Sequence, residues 1–148
     1  GGATIICMCN MLNKKLSNQE FKLMYQLGGI AQYLDDIFDL REDYLEGRQT
    51  LANPVNNVKL LKKSFLEEIK KFKEGLLNST YKKSNKIAFF VPVSFILGAT
   101  LLCAKRYELL QERTNGEFKI NEYSRDELVL DMDLWSNRIK AFKLSLKV

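Results

Sequence analysis

Apolar residues recur at helical spacing along most of the chain, and short polar breaks divide the periodic stretches. Ala3 to Leu12 is an apolar run compatible with a short buried helix, although its β-branched and Cys content leaves a strand open. Asn13 to Lys15 break it. Ser17-Asn-Gln-Glu20 has the form of a capping box, in which each end residue satisfies a backbone N–H of the other. It predicts the start of a long helix. Phe21, Met24, Leu27, Ile30, Leu34 and Ile37 follow at steps of three and four, so this helix is expected to reach Tyr44 or Leu45 and stop at Gly47.

Gln49 to Asn57, with Pro54 and three Asn, reads as a loop. Over Val58 to Leu77 the stripe Leu61, Phe65, Ile69, Phe72 and Leu76, interleaved with Lys and Glu, predicts an amphipathic surface helix with Glu67 and Lys71 as an i,i+4 pair. After the polar connector Asn78 to Asn85, Ile87 to Ala104 holds 18 residues without a charge. That length is at the lower edge of what spans a bilayer. Pro92, Ser94, Gly98 and Thr100 within the run, and a helical pattern continuing to Leu110, favour a central helix of an all-α domain. Thr114-Asn-Gly-Glu117 is a turn, and Phe118 to Tyr123 a short connector. Ser124-Arg-Asp-Glu127 is a second capping box, expected to open a final helix that buries Leu128, Trp135, Ile139, Phe142 and Leu146. Trp135, Phe89, Phe90 and Phe95 read as core residues rather than a substrate box. No internal repeat, low-complexity tract or sustained heptad occurs.

The 148 residues are one domain by length, and 46% hydrophobic content supports one packed core. Only 8 Gly and 2 Pro occur, which suits helices rather than a sheet with many turns. Three cysteines, Cys7, Cys9 and Cys103, are odd in number and badly spaced for a disulfide framework, so reduced, buried thiols in a cytoplasmic protein are expected. The first residues carry no basic leader region. With no His in the chain and no second Cys pair, a histidine base is excluded and a zinc site at Cys7-Met-Cys9 is disfavoured.

The net charge of +5 raises a nucleic-acid or membrane-surface partner first. Its distribution points elsewhere. Asp35, Asp36, Asp39, Glu42, Asp43 and Glu46 stand against the single base Arg41, an acidic focus in an otherwise basic chain. Lys62, Lys63, Lys70, Lys71, Lys73, Lys82, Lys83 and Lys86 lack a reading motif or interleaved exposed aromatics and read as solvated helix faces.

On a helix, Gly28, Gln32, Asp35, Asp36, Asp39 and Asp43 share one side. Like charges at i,i+4 oppose a helix by a few tenths of a kcal/mol per pair (~0.2–0.5), and no Lys or Arg lies in that stripe to offset them. A divalent cation would, because Mg²⁺ takes carboxylate oxygens and completes its shell with water and phosphate. Gly28-Gly29 admits the close approach of another helix or of a substrate chain, and Arg48 stands just past the helix end, where a guanidinium can grip phosphate oxygens.

The order Gly28, Gln32, Asp35, Asp36, Asp39, Gly47, Arg48 resembles the second aspartate-rich region of the trans-prenyl diphosphate synthases, Gly-x-x-x-Gln-x-x-Asp-Asp-x-x-Asp followed by Gly-Arg/Lys. Gly1-Gly2 is similar to the tail of that family's Lys-Thr-Gly element. The resemblance is most specific over Gly28 to Arg48 and looser from Gly1 to about Leu110. It implies an antiparallel helical bundle of the isoprenoid synthase type, of which this chain would be the C-terminal half. It further implies Mg²⁺-dependent prenyl transfer from an allylic diphosphate to isopentenyl diphosphate. Asp35 and Asp39 would bind Mg²⁺ with Asp36 supporting the site, Gln32 would contact the allylic group or diphosphate, and Arg48 and, more weakly, Lys59 would hold phosphate. A homodimer, or association with an N-terminal half bearing the first aspartate-rich motif, follows from the same resemblance. Neither a nucleic-acid partner nor stable membrane insertion is expected. A terpene cyclase or squalene/phytoene-type synthase fits the spacing less well. From a different class, a non-catalytic helical interaction or regulatory protein would keep its acidic stripe solvated and dock a partner on Ile87 to Ala104.

Overall fold

A computed structural model describes residues 1–11, 15–50, 52 and 57–148, and every regular element among them is helical. These are α1 (Gly2–Met11), α2 (Asn18–Phe38), α3 (Leu40–Leu45), α4 (Val58–Leu77), α5 (Lys83–Arg113), a 3₁₀ turn (Ile120–Glu122), α6 (Arg125–Leu128) and α7 (Trp135–Ser145). The all-α expectation is therefore met. Parts of the expected break after α1 and of the expected loop before α4 lie outside the described residues.

Both capping boxes form. The Ser17 hydroxyl accepts from the Glu20 N–H at 3.3 Å while the Glu20 carboxylate accepts from the Ser17 N–H at 2.9 Å, and Ser124 and Glu127 repeat the arrangement. Helices α2, α4, α5 and α7 alternate in direction. Gln19 at the start of α2 donates to the Asn78 carbonyl past the end of α4, and the Val58 N–H opening α4 donates to Gln111 Oε1 near the end of α5. Lys73 on α4 reaches the Val148 carbonyl beyond α7. Two apolar clusters fill the centre. One joins Leu23 and Ile30 of α2 to Phe65, Ile69 and Phe72 of α4 and Leu97 and Leu101 of α5. The other joins Ile37, Leu40, Leu61, Tyr107, Leu110 and Leu128. The α4 stripe read from spacing is the stripe that is buried.

Four expectations need correction. The acidic helix does not run unbroken to Tyr44, because it bends at Asp39 (φ −94°, ψ 9°). The buried Tyr107 hydroxyl donates to the Ile37 carbonyl at 2.8 Å, and a side chain bonding into the helical ladder is one physical cause of such bends. Beyond it, Gly47 (φ 67°) ends α3 as expected, with its N–H on the Tyr44 carbonyl and that of Arg48 on the Asp43 carbonyl, the paired closure of a Schellman motif.

The second correction concerns the last helix: the Ser124 box opens only four-residue α6, and α7 starts anew at Trp135. Leu128 is buried, but Trp135, Ile139, Phe142 and Leu146 face solvent, with exposures of 74%, 52%, 55% and 72%. The reason is a contact between small residues. Gly98 of α5 sits so close to α7 that a Cβ there would collide with the Ala141 carbonyl and lie 2.8 Å from the Ser145 nitrogen, so α7 docks through Ala141 and Ser145, with Leu144 against the core, and turns the predicted stripe outward.

Third, α5 is buried only over its second half. Leu97 to Thr100, Cys103, Ala104 and Tyr107 are enclosed, whereas Ile87, Phe89, Val91, Phe95 and Ile96 are exposed. By length and composition α5 could cross a membrane. Fourth, Lys71 pairs with Glu68 at 2.7 Å rather than with Glu67, which lies 4.0 Å from Lys63.

Candidate functional site

The acidic residues expected to act together occupy the last turn of α2, the bend, and α3. Asp35 and Asp39 stand one turn apart, both exposed. Asp36 is 2% exposed, and its Oδ1 accepts from Gln32 Nε2 at 2.7 Å. Adjacent helical residues differ by about 100° in direction while i and i+4 differ by about 40°, so Asp36 turns into the bundle as Asp35 and Asp39 turn out. Asp43 is 6% exposed, 3.3 Å from Arg48 Nη1, and Arg48 Nη2 reaches Glu46 Oε2 at 2.5 Å.

The three aspartates are thus divided. Two carboxylates face solvent side by side, and a third supports the turn from within. Among the described residues no three His, Cys, Asp or Glu side chains gather closely enough to hold a metal by themselves. Gln32 spends its amide nitrogen on Asp36, and its Oε1 lies 3.2 Å from the Gly1 nitrogen. Arg48 lies beside Asp43 and Glu46, against its expected role on phosphate alone. Lys59 lies 3.8 Å from Glu112 on α5.

Partial burial pushes the Asp39 carboxyl above its ordinary range, and the negative charges of Asp35, Asp43 and Glu42 push it further, while Arg48 pulls it back. The outer face of the bend therefore carries an excess of negative charge that Arg48, beside Asp43 and Glu46, offsets only in part. Its position is fixed from below by Ile37 and Leu40 in the core and by Tyr107, a residue the sequence pattern did not single out.

Gly28 has a packing explanation. A Cβ there would run into the Gly2 backbone of α1, so its bareness serves a contact between two helices rather than a substrate chain. Nothing lies within 4 Å of where a Gly29 Cβ would sit, and the structure does not explain that glycine. Of the thiols only Cys103 is buried, which pushes it up to about 11, while Cys7 is exposed and Cys9 half-buried, contrary to expectation. Arg48's pairing was in principle legible, because a Schellman closure at Gly47 folds residue 48 back over residue 43.

No family model matches the chain, and no match was found among curated proteins or solved structures.

Proposed function

We propose that the bend at Asp39 is the acidic half of a Mg²⁺-dependent prenyl-diphosphate site, of the trans-prenyl diphosphate synthase kind. The observation that carries this reading is the pair Asp35 and Asp39, exposed one turn apart on a face where partial burial and the neighbouring acids raise the Asp39 carboxyl against the pull of Arg48. Two outward carboxylates suit an ion that keeps water and substrate phosphate as its remaining ligands. Asp35 and Asp39 would hold the metal; Asp36, inside the turn on Gln32, positions them rather than binding it. Mg²⁺ bound there would offset the charge that develops on a leaving diphosphate. Arg48 would turn from the exposed Glu46 toward phosphate oxygens, keeping its backbone fixed by the Gly47 closure.

The test is calorimetric titration of Mg²⁺ with a non-hydrolysable allylic diphosphate analogue, on the chain and on Asp35→Ala/Asp39→Ala. Metal-dependent binding by the chain, lost in the variant, is the expected outcome. No binding by a chain shown to be folded would reject the site.

One observation favours a second reading, a helical interaction or regulatory protein without catalysis: α5 and α7 leave large apolar side chains in solvent. That reading predicts the same calorimetric trace with and without Mg²⁺.

A further inference from the structure

The outward face of α7 is apolar along one line and cationic along its flanks. Trp135, Ile139, Phe142 and Leu146 follow each other at steps of four, three and four, all more than half exposed. From Leu134 to Val148 there are four cations, Arg138, Lys140, Lys143 and Lys147, and no acid. Lys140, Lys143 and Lys147 have no carboxylate partner among the described residues; Arg138 leans over the Trp135 ring at 5.3 Å and touches exposed Asp133 at 3.2 Å. Between α7 and α5 lies an open cleft of about 500 Å³, lined by Lys140 and Lys143 from one side, Lys105 and Arg106 from the other, and Leu102 and Leu109 as its apolar wall. No acid lines it. Lys105 is also without a partner among the described residues, whereas Arg106 is held by the Val129 and Asp126 carbonyls.

Trp, Phe, Leu and Ile on one side, with Lys on the flanks, is the pattern of a helix lying in the plane of a membrane interface. A second copy of the chain fits this face poorly. Two α7 faces meeting across a twofold axis would bring four cations against four, with only Asp131 and Asp133, before the helix starts, to set against them. Anionic lipid supplies both missing halves at once, an apolar phase for the stripe and negative headgroups for the cleft and flanks.

We infer that α7 is an interfacial element that lays Trp135, Ile139, Phe142 and Leu146 into an anionic phospholipid surface, with Lys140, Lys143 and Lys105 taking a headgroup phosphate in the α5/α7 cleft. This does not depend on the metal site, since the two share no residue.

Trp135 is the single Trp of the chain, so its fluorescence reports on the face directly. The chain is titrated with phosphatidylcholine vesicles with and without phosphatidylglycerol. A blue shift of Trp135 emission and co-sedimentation with phosphatidylglycerol vesicles only, both weakened by added salt, are expected. Lys140→Gln/Lys143→Gln should bind about ten- to thirtyfold more weakly, from roughly 1 kcal/mol per surface cation. Phe142→Ser/Leu146→Ser should keep the salt dependence while losing most of the blue shift. All four substitutions are at exposed or lightly packed positions, and circular dichroism confirms the fold. Absence of a shift with phosphatidylglycerol vesicles, equal binding to neutral ones, or a blue shift that grows with protein concentration in the absence of lipid would overturn the inference, the last pointing to a second copy.

Discussion

The bend around Asp39 and helix α7 each concentrate charge of one sign, yet they are fastened to the bundle in opposite ways. At the bend, polar groups go inward: Asp36 and Asp43 are buried, Asp36 on Gln32 and Asp43 beside Arg48, and Tyr107 grips the Ile37 carbonyl. At α7, the inward face sets Ala141 against Gly98 and Leu144 against the core, and Trp135, Ile139, Phe142, Leu146 and the lysines go out. The contrast shows that clustered charge by itself says little about a site. What the surrounding packing leaves open decides it: two carboxylates in one case, an apolar stripe with cations in the other.

The largest effect is expected where that contrast is most easily broken. Gly98→Leu forces a side chain into the Ala141 backbone and should lower stability by about 3 kcal/mol and release α7, read by urea unfolding and by proteolysis after Lys140 or Lys143. Tyr107→Phe removes the hydroxyl from the Ile37 carbonyl without changing volume much; a loss of about 1 kcal/mol is expected, with α7 proteolysis unchanged.

A smaller effect of opposite sign is expected at Asp39. Its folded-state carboxyl titrates above the unfolded value, so it favours the fold when protonated, fully so below the unfolded range near pH ~4, and this contribution is lost as pH rises through the folded value. Asp39→Asn should therefore be slightly more stable than the parent at pH 7, by a few tenths of a kcal/mol (~0.2–0.5) after solvent screening, and equal to it in acid. Thermal melts across pH check this, and Mg²⁺ should shrink the difference at pH 7. Phe142→Ser lies on the exposed α7 face and should change stability by no more than about 0.5 kcal/mol in the absence of lipid.

Much of the fold was legible because its signals are local. Hydroxyl and Glu three apart gave both helix starts, Gly47 gave a stop, and the Leu61 to Leu76 stripe named the buried face of α4. The same periodicity misled at α7. A stripe of large apolar residues identifies a face, and whether that face meets the core or solvent depends on Gly98 and Ala141, more than forty residues apart. At the site, the acids were legible in type and spacing. The bend was not, because it involves Tyr107, seventy residues from Ile37, and so spacing alone did not separate Asp36, turned inward, from the exposed Asp35 and Asp39.

The most direct test of the acidic bend as a cation and diphosphate site is residue-resolved: backbone ¹H–¹⁵N spectra of the chain titrated with Mg²⁺ and inorganic diphosphate. The amides of Asp35, Asp39 and Arg48 should shift together and saturate, with Asp131 and Asp133 unmoved. Shifts spread evenly over all exposed acids, or none at Asp35 and Asp39, would contradict it.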